Sequence, residues 1–159
     1  MTQTQLKLSP IHVHYQNFLS VNVQATLADS FAAGDIQVER IVKKLPEREN
    51  CWSVYFELHL KAIEGQPLPP YTGNIIAEGV YEVLPNYPND PERLVRVTGC
   101  SMLYGALREL VSTITARGPN GMVTLPSVSF VEDAPLVAKK KSSASKVLKK
   151  VTKSKSKPA

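Results

Sequence analysis

Between Trp52 and Lys61 the chain alternates without a break. Trp52, Val54, Phe56, Leu58 and Leu60 fall on one parity, and Ser53, Tyr55, Glu57, His59 and Lys61 on the other. A period of two places the first set on one face of a β-strand, and that face needs cover. Burying each of its five side chains contributes roughly 1.5–3 kcal/mol. Any fold open to this chain must therefore lay apolar material over this strand.

Other segments read the same way. Residues 11–25 predict a long strand with Ile11, Val13, Tyr15, Leu19, Val21 and Val23 on one face, interrupted only by Asn17. His12, His14, Gln16, Ser20, Asn22 and Gln24 take the other face, which predicts one-sided burial in an antiparallel sheet. Ile36, Val38 and Val42 alternate with Gln37, Glu39 and Lys43 and predict a second strand, closed by the charged turn 45–50. Residues 65–73 hold three prolines, Pro67, Pro69 and Pro70, and predict a loop. A fourth strand follows over 73–84: Ile75, Ala77, Tyr81 and Val83 share a face, while Ile76, Val80 and Leu84 make the opposite face half apolar, suited to another subunit or a ligand.

The stretch 85–91 is rich in proline and predicts a loop, and Leu94 to Val97 reads as a short apolar lead-in. A helix is then expected. Leu103, Leu107, Leu110 and Ile114 recur at helical spacing, widened by Met102, Ala106 and Val111. Arg108, Glu109, Ser112, Thr113 and Thr115 fall mostly on the other side. Ser101 is the expected N-cap, and Arg117, Gly118 and Pro119 form the stop, with Gly118 available for a left-handed cap. Gly105 costs about 1 kcal/mol against alanine in mid-helix; it suggests either close approach of another backbone or a position where relatives carry a helix breaker. Met122 to Phe130 reads as extended, with Val123, Leu125, Val128 and Phe130 available for packing.

Strands first and helix last give an α+β fold: a four-stranded antiparallel sheet with a long helix packed on one face. The ordered set Leu103-Tyr104, Arg108-Glu109, Arg117-Gly118 and Leu125-Pro126 through Phe130 resembles the core signature of the SecB protein-export chaperone family. Gly105 replaces that family's proline, Ser129 replaces its asparagine, and the residues after Phe130 depart from it. The resemblance implies the same fold, assembled as a dimer of dimers, and a chaperone that holds unfolded polypeptides (preproteins) export-competent or free of aggregation. It implies a long groove between sheet, helix and crossover, for which the polypeptide-binding candidates are Tyr104, Met102, Met122, Val128, Tyr81 and Phe130. Leu103, Leu125 and Trp52 are expected in the core. It also implies an acidic sheet surface for the SecA translocation motor, with Glu57, Glu78 and Glu82 as candidates. Some SecB-like proteins serve toxin–antitoxin systems instead.

Charge divides the chain. Lys139 to Lys157 holds nine lysines and no acid, leaving residues 1–138 at a net of −4. We read 1–138 as one SecB-like domain and 139–159 as a disordered Lys-rich tail, because that composition cannot offset the entropy of ordering. The tail makes a basic nucleic-acid- or ribosome-associated binding module the alternative; with no aromatic residue it would contact phosphates rather than stack on bases. It could equally fold back on the acidic body.

Gly-rich phosphate loops and GxSxG are absent, so no enzyme and no cofactor are expected. Cys51 and Cys100 lack metal spacing and read as buried thiols of a reducing compartment. His12 and His14 share a strand face, but a metal site needs a third and fourth ligand that the spacing does not supply, so they read as solvated and no metal is expected. With no secretory signal in the first ten residues and no membrane-length apolar run, a cytoplasmic protein is expected.

Overall fold

The computed structural model describes residues 8–131. The expected tail, 139–159, lies outside the described residues. Four strands, β1 (Ile11–Ala25), β2 (Asp35–Lys44), β3 (Cys51–Lys61) and β4 (Tyr71–Val83), form one antiparallel sheet in the order β1-β4-β3-β2. The strands with the strongest apolar faces, β3 and β4, are the central pair. Trp52, Val54, Phe56, Leu58 and Leu60 meet Ile75, Ala77, Tyr81 and Val83 on one sheet face, all buried. The helix packs on that face, and its Cys100, Leu103, Tyr104, Leu107 and Val111 close the core.

β1 departs from simple alternation. Its register against β4 shifts between Val13 and Tyr15 and again between Phe18 and Ser20. Each bulge inserts one residue and so flips the parity of the strand. Ile11 and Val13 face the helix layer, Gln16 and Phe18 take over after the first bulge, and Val21 and Val23 after the second. The expected face of Tyr15 and Leu19 is thereby corrected: Tyr15 pairs with Val80 on the outer face, and Leu19 sits at the second bulge. Tyr15, Phe18, Leu19 and Val21 remain exposed.

The helix starts earlier than Ser101. Asp90 caps it, accepting from Glu92 N at 3.0 Å, and Pro91 occupies the first turn, where its missing N–H costs nothing. A short helix α1 (Pro91–Leu94) runs through a π-helical turn (Val95–Gly99) into α2 (Cys100–Ala116). In the π turn, Cys100 N donates to Val95 O, five residues back. This added residue lets Val95 and Cys100 both be buried against the sheet. Ser101 donates to Val97 O instead of capping. At the other end Gly118 donates to Thr115 O without a positive φ. The expected left-handed cap is replaced by a close approach: a Cβ on Gly118 would fall within 3.0 Å of Tyr71 Cε1 and closer still to its hydroxyl. Gly105 faces open space, so no backbone approaches it among the described residues.

Residues 118–130 return along the helix as an irregular crossover. Its buried plugs are Leu125 and Phe130. No helix among the described residues is long and apolar enough to cross a membrane.

Candidate functional site

The crossover is held to α2 by one stripe of the helix. Tyr104 Oη donates to Pro126 O at 2.8 Å, Arg108 Nε to Leu125 O at 3.0 Å, and Thr115 Oγ1 accepts from Val123 N at 2.9 Å. Tyr104, Arg108 and Thr115 lie four and seven residues apart and so share a face. An irregular strand has no ladder to satisfy its backbone, and these side chains supply the partners. Thr115, expected on the polar side, is 1% exposed and also donates to Val111 O at 2.7 Å. Asn120 pins the other end: its Nδ2 donates to Thr26 O at 2.8 Å and to Pro70 O at 2.7 Å, tying the crossover to the ends of β1 and β4.

An aromatic column fixes the crossover to the sheet. Phe130 stacks on Phe56 at 5.7 Å, Tyr104 meets Phe130 edge-on at 5.9 Å, and the Arg40 guanidinium lies 4.9 Å over the Phe130 ring. Tyr104 is therefore a buried strut and not part of an exposed wall. Phe130 and Tyr81 are buried as well, at 4% and 0% exposure, and offer no surface to a ligand in this arrangement. Burial pushes the Tyr81 phenol up to about 12, although a hydrogen bond from Gln16 Nε2 at 2.9 Å pulls the other way. Burial also raises the Tyr104 phenol, opposed by Arg108. Leu103, Leu125 and Trp52 are in the core, as expected. Met102, Met122 and Val128 are exposed.

Two hollows flank this assembly on the helix side of the sheet. One, with a volume of about 280 Å³, lies between the crossover and the β2–β3 corner and is lined by Ala33, Ile36, Leu60, Pro69, Val123 and Thr124 among others. Its walls are mostly apolar. It abuts β2, whose outer edge pairs with no strand among the described residues. The second, about 250 Å³, lies between β1 and α2 around Phe18, Ala106 and Leu110. None of the six polypeptide-binding candidates lines the first hollow, and sequence reasoning missed Ala33, Ile36 and Thr124. The prolines Pro69 and Pro70 were the available signal, since they place the 65–70 loop irregularly against β2.

The outer sheet face is mixed. Tyr15 and Ile41 are exposed there, with Tyr55 and Ile76 half-buried between them. Glu57, Glu78 and Glu82 lie on this face, and each is engaged within the chain. Glu57 is 3.3 Å from His59, Glu78 accepts from Ser53 Oγ at 3.1 Å, and Glu82 is 2.7 Å from His14. Cys51, one residue before the strict alternation of β3, is 2% exposed, with its Sγ 4.0 Å from His14 Nε2. Burial, then the Glu82 carboxylate, pushes its thiol up, and Arg48 acts against them.

No protein-family model matches the chain, and no curated protein matches it. Among solved structures it is similar to the Rv1957 SecB-like chaperone of Mycobacterium tuberculosis, determined in complex with a ChAD peptide from the Rv1956 HigA1 antitoxin. The TM-score is 0.55 and the identity 20%, over 76% of this chain and 91% of that one. A protein of unknown function from Streptococcus agalactiae matches with a TM-score of 0.44 and 11% identity, over 74% of this chain and 97% of that one. The first of these likenesses shows the fold, which is SecB-like.

Proposed function

We propose that this chain is a chaperone that holds extended, apolar-rich polypeptide segments in the groove between its crossover and β2. The observation that carries the reading is the apolar hollow of about 280 Å³ between Ile36, Leu60, Val123 and Thr124. It is large enough for a bulky side chain, it opens to solvent, and it adjoins a strand edge, unpaired among the described residues, that can hydrogen-bond an extended backbone irrespective of sequence. Contacts of that kind are tolerant: area burial against a mostly apolar wall accommodates many side chains. The solved SecB-like chaperone that shares the fold was determined with a bound antitoxin peptide, which supports a peptide occupant. An antitoxin-type client and an exported preprotein are both clients of this chemistry.

The outer sheet face is the proposed seat of a second copy, because Tyr15 and Ile41 lie exposed beside half-buried Tyr55 and Ile76. A motor contact through Glu57, Glu78 and Glu82 would have to displace their partners within the chain. The test is equilibrium binding of a fluorescent polypeptide, held unfolded by reduction, beside its folded form. Binding of the unfolded form alone, persisting at high salt, supports the groove. Equal binding of both forms, or binding lost at high salt, overturns it and favours the lysines of the tail.

A further inference from the structure

The sheet register brings together three potential ligands that are far apart in sequence. Glu82 stands opposite His12 across the β1–β4 pairing and opposite Cys51 across the β3–β4 pairing. Simple alternation along β1 would leave His14 two residues further along the same face. The first bulge falls at His14 itself, and the extra residue turns its imidazole back toward Glu82. Re-aiming a side chain is what a bulge does best. His14 Nε2, Cys51 Sγ and a Glu82 carboxylate oxygen all lie within 4.8 Å of one another.

From this geometry we propose a zinc(II) site formed by His14, Cys51 and Glu82 at the outer end of the sheet. The donor set is of the kind zinc prefers: one imidazole, one thiolate and one carboxylate, with a fourth position open to water. The dimensions fit. Tetrahedral zinc with bonds of about 2.0 Å to nitrogen and oxygen and about 2.3 Å to sulfur separates N from O by roughly 3.3 Å and N from S by roughly 3.5 Å. The observed separations are 2.7 Å for His14–Glu82 and 4.0 Å for Cys51–His14. A rotation of the His14 ring that opens the first by about 0.6 Å and closes the second by about 0.5 Å brings both to the metal values, and the Glu82 carboxylate, within 4.8 Å of Cys51 Sγ, must turn to bring that separation to roughly 3.5 Å. Only side chains need to move, because His14 and Glu82 are 30% and 38% exposed. Without metal, the His14–Glu82 hydrogen bond occupies the same space.

The thiol must give up its proton as the Zn–S bond forms, so one proton passes to solvent for each ion bound. Bound zinc joins β1, β3 and β4 at one point. It holds the bulged end of β1, an edge strand that carries exposed Tyr15, Phe18, Leu19 and Val21. The ion would thus fix the strand that borders the second hollow.

The experiment uses the full chain, stripped with a chelator and dialysed. Zinc(II) is titrated against a chromophoric competitor, and cobalt(II) is added separately to read the thiolate-to-metal charge-transfer band. The site predicts one equivalent per chain and a cobalt–thiolate band. It predicts at least tenfold weaker zinc binding in His14→Ala and in Glu82→Gln, loss of the band in Cys51→Ser, and no change in His59→Ala. Zinc should also raise the melting temperature of the wild type and leave that of His14→Ala unmoved. Absence of the band, or one-equivalent binding that survives both His14→Ala and Cys51→Ser, overturns the site. Should Cys51→Ser fail to fold, His14→Ala and Glu82→Gln decide the matter, since both residues are substantially exposed.

Discussion

Replacing Thr115 by valine tests how the groove wall is built. Valine keeps the shape of threonine and removes only the hydroxyl. That hydroxyl donates to Val111 O at 2.7 Å and accepts from Val123 N at 2.9 Å, and the residue is 1% exposed. Val111 O keeps its helical partner, so the loss falls on the Val123 N–H, left half-buried with no acceptor. An unpaired buried donor costs ~1–3 kcal/mol, and the partial exposure of Val123 favours the lower half, about 1–2 kcal/mol. For a chain of this size each kcal/mol lowers Tm by roughly 2–4 °C. Denaturant titration gives the free energy, and hydrogen exchange at the Val123 amide gives its location. Thr115→Ser is the control: it keeps both hydrogen bonds, loses a methyl group worth about 0.8 kcal/mol, and leaves the Val123 amide protected. If Thr115→Val is neutral and the Val123 amide stays protected, the crossover is not pinned by this hydroxyl and the reasoning fails.

Gly118→Ala pushes a methyl group into the Tyr71 ring, whose hydroxyl donates to Thr115 O and accepts from Asn120 N, both at 3.2 Å; a destabilisation of about 1–3 kcal/mol is expected in thermal melts. Tyr81 gives the fold an alkaline limit. Its phenol ionises at about 12 when folded against 10.0 ordinarily, so the unfolded chain loses that proton first. Stability from this group is full below pH ~10 and falls by roughly 2–3 kcal/mol as pH rises through 12; denaturation curves across that range should show the fall, and Tyr81→Phe should flatten it. Tyr15→Lys combined with Ile41→Lys places charge on the outer sheet face, and sedimentation should show a smaller assembly with the monomer fold intact by circular dichroism.

The central sheet was legible because β3 and β4 have no interruptions: each residue's parity gives its face. β1 was not, because two inserted residues change parity twice, and the traces in the sequence are Asn17 breaking the odd series and Phe18 breaking the even one. The helix start was written in Asp90-Pro91-Glu92, an acidic cap before a proline, but the prolines around it read as a loop. The π turn had no signal, since an added residue in a helix leaves both neighbouring periodicities intact. Thr115 was misplaced because period alone treats a polar atom as a marker of solvent, and Tyr104 because the resemblance offered it to a groove, whereas here both hydroxyls bond the backbone of a crossover packed on the helix. The signature that carried the resemblance has a physical meaning in that arrangement: Tyr104 and Arg108 hold the carbonyls of Pro126 and Leu125. The cluster of His14, Cys51 and Glu82 could not be found by spacing, because only strand register joins residues so far apart.

The most direct test of the groove is to fill it. Ala33 and Thr124 line the hollow with exposed side chains, so Ala33→Trp and Thr124→Trp can occupy it without disturbing the core. Excluding one client side chain forfeits ~1.5–3 kcal/mol of burial, which is roughly 10- to 150-fold in Kd. Fluorescence anisotropy with the unfolded polypeptide should show that loss in both variants, with Tm close to wild type. Unchanged affinity in both would place the polypeptide elsewhere and contradict the account.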